Sequence, residues 1–252
     1  MRSSGRLTLS LQTNTHSSRL LDKLTEFAFN SEQSIYNMKQ LPWLILLLLS
    51  SNSAMAIHFD IFDKAATPLG IDATFLRAIC EIESQRNPWA VNINGEGFQP
   101  KSKADALTLI RSTQNRPWLL KLHYSGEEPI RSFFPSESAA RSALKSILKA
   151  NQEIGIASPK TTEIRWLDTR STDIGLMQIN YLFHGRHFES KDQLFDPEVN
   201  VGYAAKYLSD LLKRHGNWSK AVAHYHSNTL KYQTLYLSQF WPVYKKLVLE
   251  TN

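Results

Sequence analysis

The chain has almost no cysteine, since Cys80 is the only one among 252 residues. A single cysteine excludes an internal disulfide bond and a zinc site built on several cysteine ligands. Cys80 lies in an apolar stretch beside Ile79 and Ile82, so we expect it to be buried as a small hydrophobic side chain. A cysteine nucleophile is therefore not expected.

The sequence is also poor in the features that mark disorder or nucleic-acid binding. It holds only 10 glycines and 10 prolines, and its 42% apolar and 21% charged residues are typical of globular proteins. The net charge of +6 suits an anionic partner such as a cell-wall polymer, a membrane surface or a nucleic acid, and it is equally compatible with solubility alone. There is no dense lysine and arginine run and no aromatic-plus-basic pattern, so we expect no nucleic-acid partner.

Residues 38–56 have the pattern of a secretory signal peptide. Lys39 supplies the positive start, Leu41–Leu49 forms a short apolar run, and Ala54–Ala56 is a small-residue cleavage site. The run is too short to span a bilayer comfortably, and the alternatives are a buried core helix or an uncleaved anchor. Cleavage leaves a mature domain at 57–252 without a stable membrane span, which we expect to be periplasmic.

This signal begins inside the chain, at Met38. Signal peptides belong at the N-terminus of a protein, and Met1–Asn37 shows no clear core pattern. We therefore predict that the true start is Met38 and that residues 1–37 are an upstream extension from a mis-assigned start. N-terminal sequencing of the exported protein tests this prediction.

The sequence beyond residue 57 predicts a mainly α protein of the α+β class, with a small mixed α/β insertion at about 91–170. Apolar residues at helical spacing, together with capping residues, predict helices at Asp72–Ser84, Ser102–Arg111, Ser138–Ala150, Asp196–His215, Ser219–Ser227 and Leu235–Leu249. Strand pairs are predicted at Val91–Phe98 and His123–Phe134, around Asn94-Gly95 and Ser125-Gly126. The last third, beginning with Asp173–Asn180, is predicted to be helical again.

Three short motifs contain the candidate functional residues. Glu83–Pro88 reads ESQRNP at the end of an apolar helix, Gly175–Asn180 reads GLMQIN, and Ala223–Asn228 reads AHYHSN. Between the last two lies Leu194–Leu208, in which Asp-Pro opens a helix. In this order the motifs resemble the soluble lytic transglycosylases, a branch of the lysozyme superfamily. The resemblance implies a lysozyme-like helical domain and covers roughly Ile57–Leu249, interrupted by the middle region.

The sequence departs from the common family pattern in two places. The segment between Glu83 and Gly175 is much longer than in the shortest members, and it looks similar to a branch found with conjugation and type IV secretion gene clusters. In the third motif, His226 stands where the common form has asparagine.

Glu83 is the candidate catalytic residue. Cleavage of a glycosidic bond needs a proton on the leaving oxygen while positive charge grows at the anomeric carbon. An apolar setting near Ile79 and Cys80 disfavours the charged form of a carboxyl group, so we expect Glu83 to keep its proton near neutral pH. Glu81 is two positions away and faces elsewhere. No second acidic residue is found inside a matching motif, and the resemblance implies one glutamate acting twice.

The resemblance also implies a substrate-binding set around the glutamate, composed of Ser84, Met177, Gln178, Asn180, Tyr225 and His226. Gln178 would hydrogen-bond the sugar or its acetamido group, Met177 would give an apolar wall, and Tyr225 would orient the glutamate. Ser84 would support its neighbourhood. Plain core packing is the alternative for Met177 and Tyr225.

The histidines do not predict a metal site. His224 and His226 are two positions apart and do not share a helix face, while His184 and His187 have no evident third ligand. Neither a metal nor a cofactor is expected.

The leading hypothesis is an exported enzyme that cleaves peptidoglycan glycan strands with formation of 1,6-anhydro ends, for local wall opening by a conjugation or secretion apparatus. One rival keeps the fold and makes the protein a muramidase that uses water. The other rival is an inactive wall-binding module of a secretion machine.

Overall fold

The computed structural model describes residues 61–251. The predicted extension at 1–37 and the predicted signal peptide at 38–56 lie outside the described residues and stay predictions. Residues 61–66 are helical and lead into a 3-10 turn at Thr67–Leu69. Over the described range, no helix has both the length and the apolar composition needed to cross a membrane.

The structure is mostly helical with small antiparallel sheets. From residue 73 onward the α-helices are α1 (Ala73–Ser84), α2 (Lys103–Asn115), α3 (Glu137–Glu153), α4 (Tyr181–His184), α5 (Pro197–His215), α6 (Trp218–His226) and α7 (Leu230–Thr251). The strands are β1 (Val91–Ile93), β2 (Glu96–Phe98), β3 (Trp118–His123), β4 (Ile130–Phe134), β5 (Thr161–Trp166), β6 (Thr172–Ile174) and β7 (Ile179–Asn180). The predicted fold class, a mainly α lysozyme-like α+β fold, is confirmed.

Helix α1 carries the first motif, and local chemistry sets where it begins. The Asp72 carboxylate accepts a 2.7 Å hydrogen bond from the N–H of Thr74, which is the N-cap that the sequence predicts. The buried face of α1, with Phe75 and Ile79, packs against α7. Phe75 also stacks on Trp218 at the start of α6, with ring centroids 3.8 Å apart.

Cys80 lies in the buried face of α1, as predicted. Burial raises the pKa of its thiol to about 12. Its Sγ atom lies 3.8 Å from Oγ of Ser84. The thiol therefore stays protonated at neutral pH and is not a nucleophile.

Helix α5 begins and ends where the sequence predicts. The Asp196 carboxylate accepts hydrogen bonds from the N–H groups of Glu198 at 2.9 Å and Val199 at 3.2 Å. Pro197 fits the first turn, where no N–H is needed. Gly216 ends the helix in the left-handed region, with φ 76°. Helix α5 packs against α6 and α1, and together with α7 these helices form the core behind the motifs.

The first sheet has the strand order β2-β1-β6-β7. Strand β1 is shared, since Val91 lies opposite Phe98 of β2 and opposite Ile174 of β6. The hairpin predicted at Val91–Phe98 is therefore confirmed, and it lies directly beside the strand that leads into the second motif.

The helical prediction for Asp173–Asn180 is wrong, because this segment is the β6–β7 hairpin. Gly175 has φ 81° and Gln178 has φ 45°. Two left-handed residues three positions apart are incompatible with an α-helix and close a tight turn instead.

The second sheet, with the strand order β4-β3-β5, lies between β2 and β6 in the sequence. The strand pair predicted at His123–Phe134 includes β4 but places the first strand too late, because β3 covers Trp118–His123. Strand β3 is central, and its buried Leu119, Leu120 and Leu122 form an almost continuous apolar run. Such a run lacks the alternation by which strands are recognised.

Glu96 of β2 joins the two sheets. Its side chain is 5% exposed and forms ion pairs with Lys121, Arg131 and Arg165, which all belong to the second sheet. Burial alone would raise the pKa of Glu96, but hydrogen bonds from Arg131 and Lys121 outweigh it and hold the pKa below its ordinary value. The second sheet is thereby fastened to the hairpin beside the motifs.

Candidate active site

Glu83 lies in the last turn of α1, and the chain reverses direction directly after it. Gln85 and Arg86 both adopt left-handed backbone angles, with φ 53° and 63°, which are uncommon for residues other than glycine. The Ser84 hydroxyl donates a 3.1 Å hydrogen bond to the carbonyl oxygen of Cys80. This helix end holds the Glu83 side chain largely enclosed, with 15% of it exposed.

The second motif is held by Asn200 of α5. Its side-chain amide donates 2.9 Å hydrogen bonds to the carbonyl oxygens of Ile174 and Leu194, and its oxygen accepts a 2.8 Å bond from the N–H of Met177. Gly175 packs against this amide so closely that a Cβ atom there would lie 2.6 Å from Nδ2 of Asn200 and 2.5 Å from the Leu194 carbonyl oxygen. The turn therefore requires glycine at position 175.

Gln178 uses its amide nitrogen to hold the same turn. The nitrogen donates to the carbonyl oxygens of Ala90 at 3.1 Å and Gly175 at 2.9 Å. The Gln178 side chain is thus fixed between Ala90, which follows the first motif, and Gly175, which begins the second.

Tyr225 connects the third motif with the second and with Glu83. Its hydroxyl donates a 2.8 Å hydrogen bond to the carbonyl oxygen of Met177. Burial, and after it the charge of Glu83, raises the pKa of Tyr225 well above its ordinary value. Tyr225 is therefore a neutral neighbour of the glutamate.

His226 is in direct electrostatic contact with Glu83. Its Nδ1 atom lies 3.6 Å from Oε1 of Glu83. The imidazole ring stacks on Tyr236, with centroids 4.3 Å apart and an interplanar angle of 7°. The Tyr236 hydroxyl is buried and interacts with the Glu83 carboxyl group, although among the described residues it makes no hydrogen bond of regular geometry. Burial first, and the Glu83 charge second, raise the pKa of Tyr236 well above its ordinary value.

Asp173 is a second acidic residue in this cluster, and sequence reasoning missed it. Burial raises the pKa of Asp173 to about 6; the hydrogen bond from Asn180, at 2.6 Å, opposes this rise, and the charge of Glu83 adds to it. The signal was available in the alternation of β6, where Thr172 and Ile174 are buried and Asp173 faces the other side. A helical prediction for this segment takes no account of that alternation and so does not identify Asp173.

The structure places the six predicted binding residues differently with respect to Glu83. Tyr225 and His226 lie beside the glutamate, and Asn180 acts through Asp173 while also capping α4. The side chains of Ser84 and Met177 are completely buried. These two support the site from the core, and direct substrate contact by them stays a prediction.

The other histidines considered from the sequence have different neighbours. Nδ1 of His184 lies 2.8 Å from the Tyr203 hydroxyl, and the His224 ring stacks on His215 with centroids 4.0 Å apart. Among residues 61–251, no three side chains of the metal-binding types converge on one point.

A helical domain with a glutamate at a helix end, facing a tight-turned β-hairpin, is a lysozyme-like architecture. The family model described as "Transglycosylase SLT domain" matches residues 60–236, and the chain belongs to this family.

Curated relatives include the invasion protein IagB of Salmonella typhimurium, in strains SL1344 and LT2, and IagB of Salmonella typhi. Each is 36% identical over 86 residues, which cover 31% of this chain and 53% of the relative. The chain thus spans about half the length of these relatives. No solved structure matches the chain significantly.

Proposed function

We propose that the protein is an exported lytic transglycosylase that cleaves the β-1,4 bond between MurNAc and GlcNAc in peptidoglycan. The observation that carries this proposal is the setting of Glu83. Its side chain is 15% exposed at the end of α1, and its carboxyl group lies within electrostatic reach of Asp173, Tyr225 and His226. Membership of the transglycosylase SLT domain family supports the substrate class.

Glu83 acts first as an acid and then as a base. The carboxyl group donates its proton to the glycosidic oxygen, the bond from this oxygen to the anomeric carbon breaks, and the N-acetyl oxygen of MurNAc assists at that carbon. The carboxylate then takes the proton of the MurNAc C6 hydroxyl, whose oxygen closes on the anomeric carbon. The products are a free GlcNAc hydroxyl and a 1,6-anhydro ring, Glu83 regains its proton, and no water is consumed.

The neighbouring residues position the substrate and the acid. Because the Gln178 nitrogen is engaged by the backbone, its amide oxygen is the atom that accepts a hydrogen bond from a sugar hydroxyl or acetamido N–H. The neutral Tyr225 hydroxyl donates to the Met177 carbonyl, and this bond holds the Tyr225 ring in place beside Glu83, which orients the glutamate.

A hydrolytic muramidase is the second candidate, and Asp173 favours it. Most glycosidases use two carboxyl groups, and Asp173 is close enough to Glu83 for their charges to interact. An ionised Asp173 would stabilise the positive charge at the anomeric carbon while a water molecule completes the reaction.

The released fragments distinguish the two reactions. Mass analysis of fragments from purified peptidoglycan is expected to show 1,6-anhydro ends, whereas the muramidase would give free reducing ends. The Asp173→Asn variant sharpens the result, because it should abolish reducing ends if water is the acceptor and only slow the reaction if the C6 hydroxyl is the acceptor.

The Glu83→Gln variant tests the catalytic assignment itself. It should abolish clearing of a gel that contains cell walls while its circular dichroism spectrum stays unchanged. The matched control is Glu81→Gln on the same helix, since Glu81 pairs with Arg86 outside the cluster. Equal clearing by wild type and Glu83→Gln would make the assignment wrong. If neither clears the gel but both bind insoluble peptidoglycan, the protein is the inactive wall-binding module.

The proposed location is the periplasm, with residues 38–56 as the export signal. Local wall opening for a conjugation or secretion apparatus is the proposed role, and the name "invasion protein" of the relatives is compatible with it. Fusion of residues 38–56 to a leaderless periplasmic reporter enzyme tests export, which an inactive fusion would contradict.

A further inference from the structure

We propose that His226 governs the proton on Glu83, because a protonated imidazole at this position holds the glutamate in its carboxylate form, which cannot act as the acid. His226 is thus a positioning residue of the reaction. This inference rests on the proposed function of Glu83.

The geometry fixes the imidazole against the carboxyl group. Nδ1 of His226 lies 3.6 Å from Oε1 of Glu83, a range at which an opposite charge strongly favours an ionised carboxylate. Stacking on the buried Tyr236 ring limits the rotation of the imidazole. The His226 side chain is 39% exposed, so it exchanges protons with solvent more readily than the enclosed glutamate does.

Two carboxyl groups and two tyrosines face His226. Glu83 lies on α1 and is paired with His226. Asp173 lies on β6 and interacts electrostatically with both Glu83 and His226. Tyr236 lies on α7, and Tyr225 lies on α6 itself. The pKa values of both tyrosines are raised well above the ordinary value, so both are neutral. His226 is also the last residue of α6, where the helix dipole stabilises a cation.

The 3.6 Å separation allows one proton to lie on either Glu83 or His226. With one proton between them, the protein has two forms: an active one with a neutral imidazole and a carboxylic acid, and an inactive ion pair. Without the imidazole, only the carboxyl group of Glu83 can hold that proton, which is the active form. The effect must vanish at a pH where the histidine is neutral, and histidines as a class change charge between about pH 5 and 8.

The pH dependence of wall cleavage by two variants tests the proposal. His226→Asn should increase the rate relative to wild type by up to about tenfold at weakly acidic pH, and this ratio should decline as the pH rises and the imidazole loses its charge. His226→Lys places a lasting positive charge there and should reduce the rate throughout the neutral range. The control is His224→Asn on the same helix, whose ring stacks on His215, and its pH profile should equal that of wild type.

A second measurement separates this proposal from the proposed function. In protein with ¹³C-labelled glutamate, the carboxyl resonance of Glu83 should titrate at higher pH in His226→Asn than in wild type. An unchanged titration overturns the proposal even if the enzyme cleaves peptidoglycan. A shifted titration upholds the coupling even if no cleavage is found, in which case it is the catalytic assignment of Glu83 that fails.

Discussion

The hydroxyl of Tyr225 donates a 2.8 Å hydrogen bond to the carbonyl oxygen of Met177, across 48 positions in the sequence. This bond ties the end of α6 to the turn of the β6–β7 hairpin. The side chain of Met177 is completely buried, so the bond fixes a backbone that is itself anchored in the core. Two of the three motifs thus meet through one hydroxyl group beside Glu83.

Tyr225→Phe should weaken both stability and activity. Loss of the hydroxyl leaves the buried Met177 carbonyl without this donor, which costs about 1–2 kcal/mol of unfolding free energy. Cleavage of peptidoglycan should fall by roughly tenfold, because the side of the active site that orients Glu83, formed by Tyr225 and the Met177 backbone, becomes less rigid. Urea unfolding and release of soluble fragments measure the two effects. Tyr232→Phe, at an exposed position of α7, is the control, and equal behaviour of the two variants would contradict the role of the bond.

Gly175→Ala should destabilise the protein far more than the same change at another left-handed glycine. At Gly175, the new methyl group would clash with the Leu194 carbonyl and the Asn200 amide, in addition to the backbone strain, for a cost of about 3 kcal/mol or more. Gly216 has φ 76° and open space for a Cβ atom. Gly216→Ala should therefore cost only about 1 kcal/mol. Thermal and urea unfolding of the two variants should differ clearly, and similar losses would disprove the close contact.

Asp173→Asn should change how stability depends on pH. The pKa of Asp173 is about 6 in the folded protein, against an ordinary value of 3.8. The folded state therefore binds this proton more tightly than the unfolded chain. That contribution is present below about pH 4 and is lost as the pH rises to about 6. From about pH 4 to pH 7, the unfolding free energy of Asp173→Asn relative to wild type should rise by up to about 3 kcal/mol.

Urea unfolding at a series of pH values measures this difference. Asp192→Asn is the control, because Asp192 is half exposed and pairs with Lys103 on the surface. A constant difference between Asp173→Asn and wild type across the series would show that Asp173 titrates alike in the folded and unfolded states.

Glu96→Gln should loosen the second sheet. The substitution leaves Lys121, Arg131 and Arg165 without their shared carboxylate, at a cost of about 2–4 kcal/mol. Hydrogen exchange should accelerate in β3, β4 and β5 before it does in α1. Glu163→Gln is the control, because Glu163 pairs with Arg165 at a more exposed position. Uniform protection in Glu96→Gln would contradict the fastening role.

The sequence predicts those parts of the fold that depend on neighbouring residues. The ends of α1 and α5 follow from Asp72, Asp196 and Gly216, because capping involves atoms within a few positions. The hairpin at Val91–Phe98 follows from its Asn-Gly turn in the same way. The order of the motifs likewise predicts the family to which the chain belongs.

The parts that were missed depend on contacts between distant positions. Glu96 lies 25, 35 and 69 positions from the cations that it binds, and nothing local marks them as partners. The helical prediction for the β6–β7 hairpin is wrong because Asn200, over 20 positions away, holds this short apolar run as a turn. Asp173 was missed with it, while the catalytic role of Glu83 stays a prediction.

The buried thiol of Cys80 is a built-in chemical probe of unfolding. With a pKa of about 12, almost none of it is thiolate at neutral pH, and the folded chain shields it from reagents. A thiol-reactive dye will therefore label the chain only when the interior of α1 opens. Labelling kinetics then report, without any engineered probe, how often each variant exposes the helix that carries Glu83.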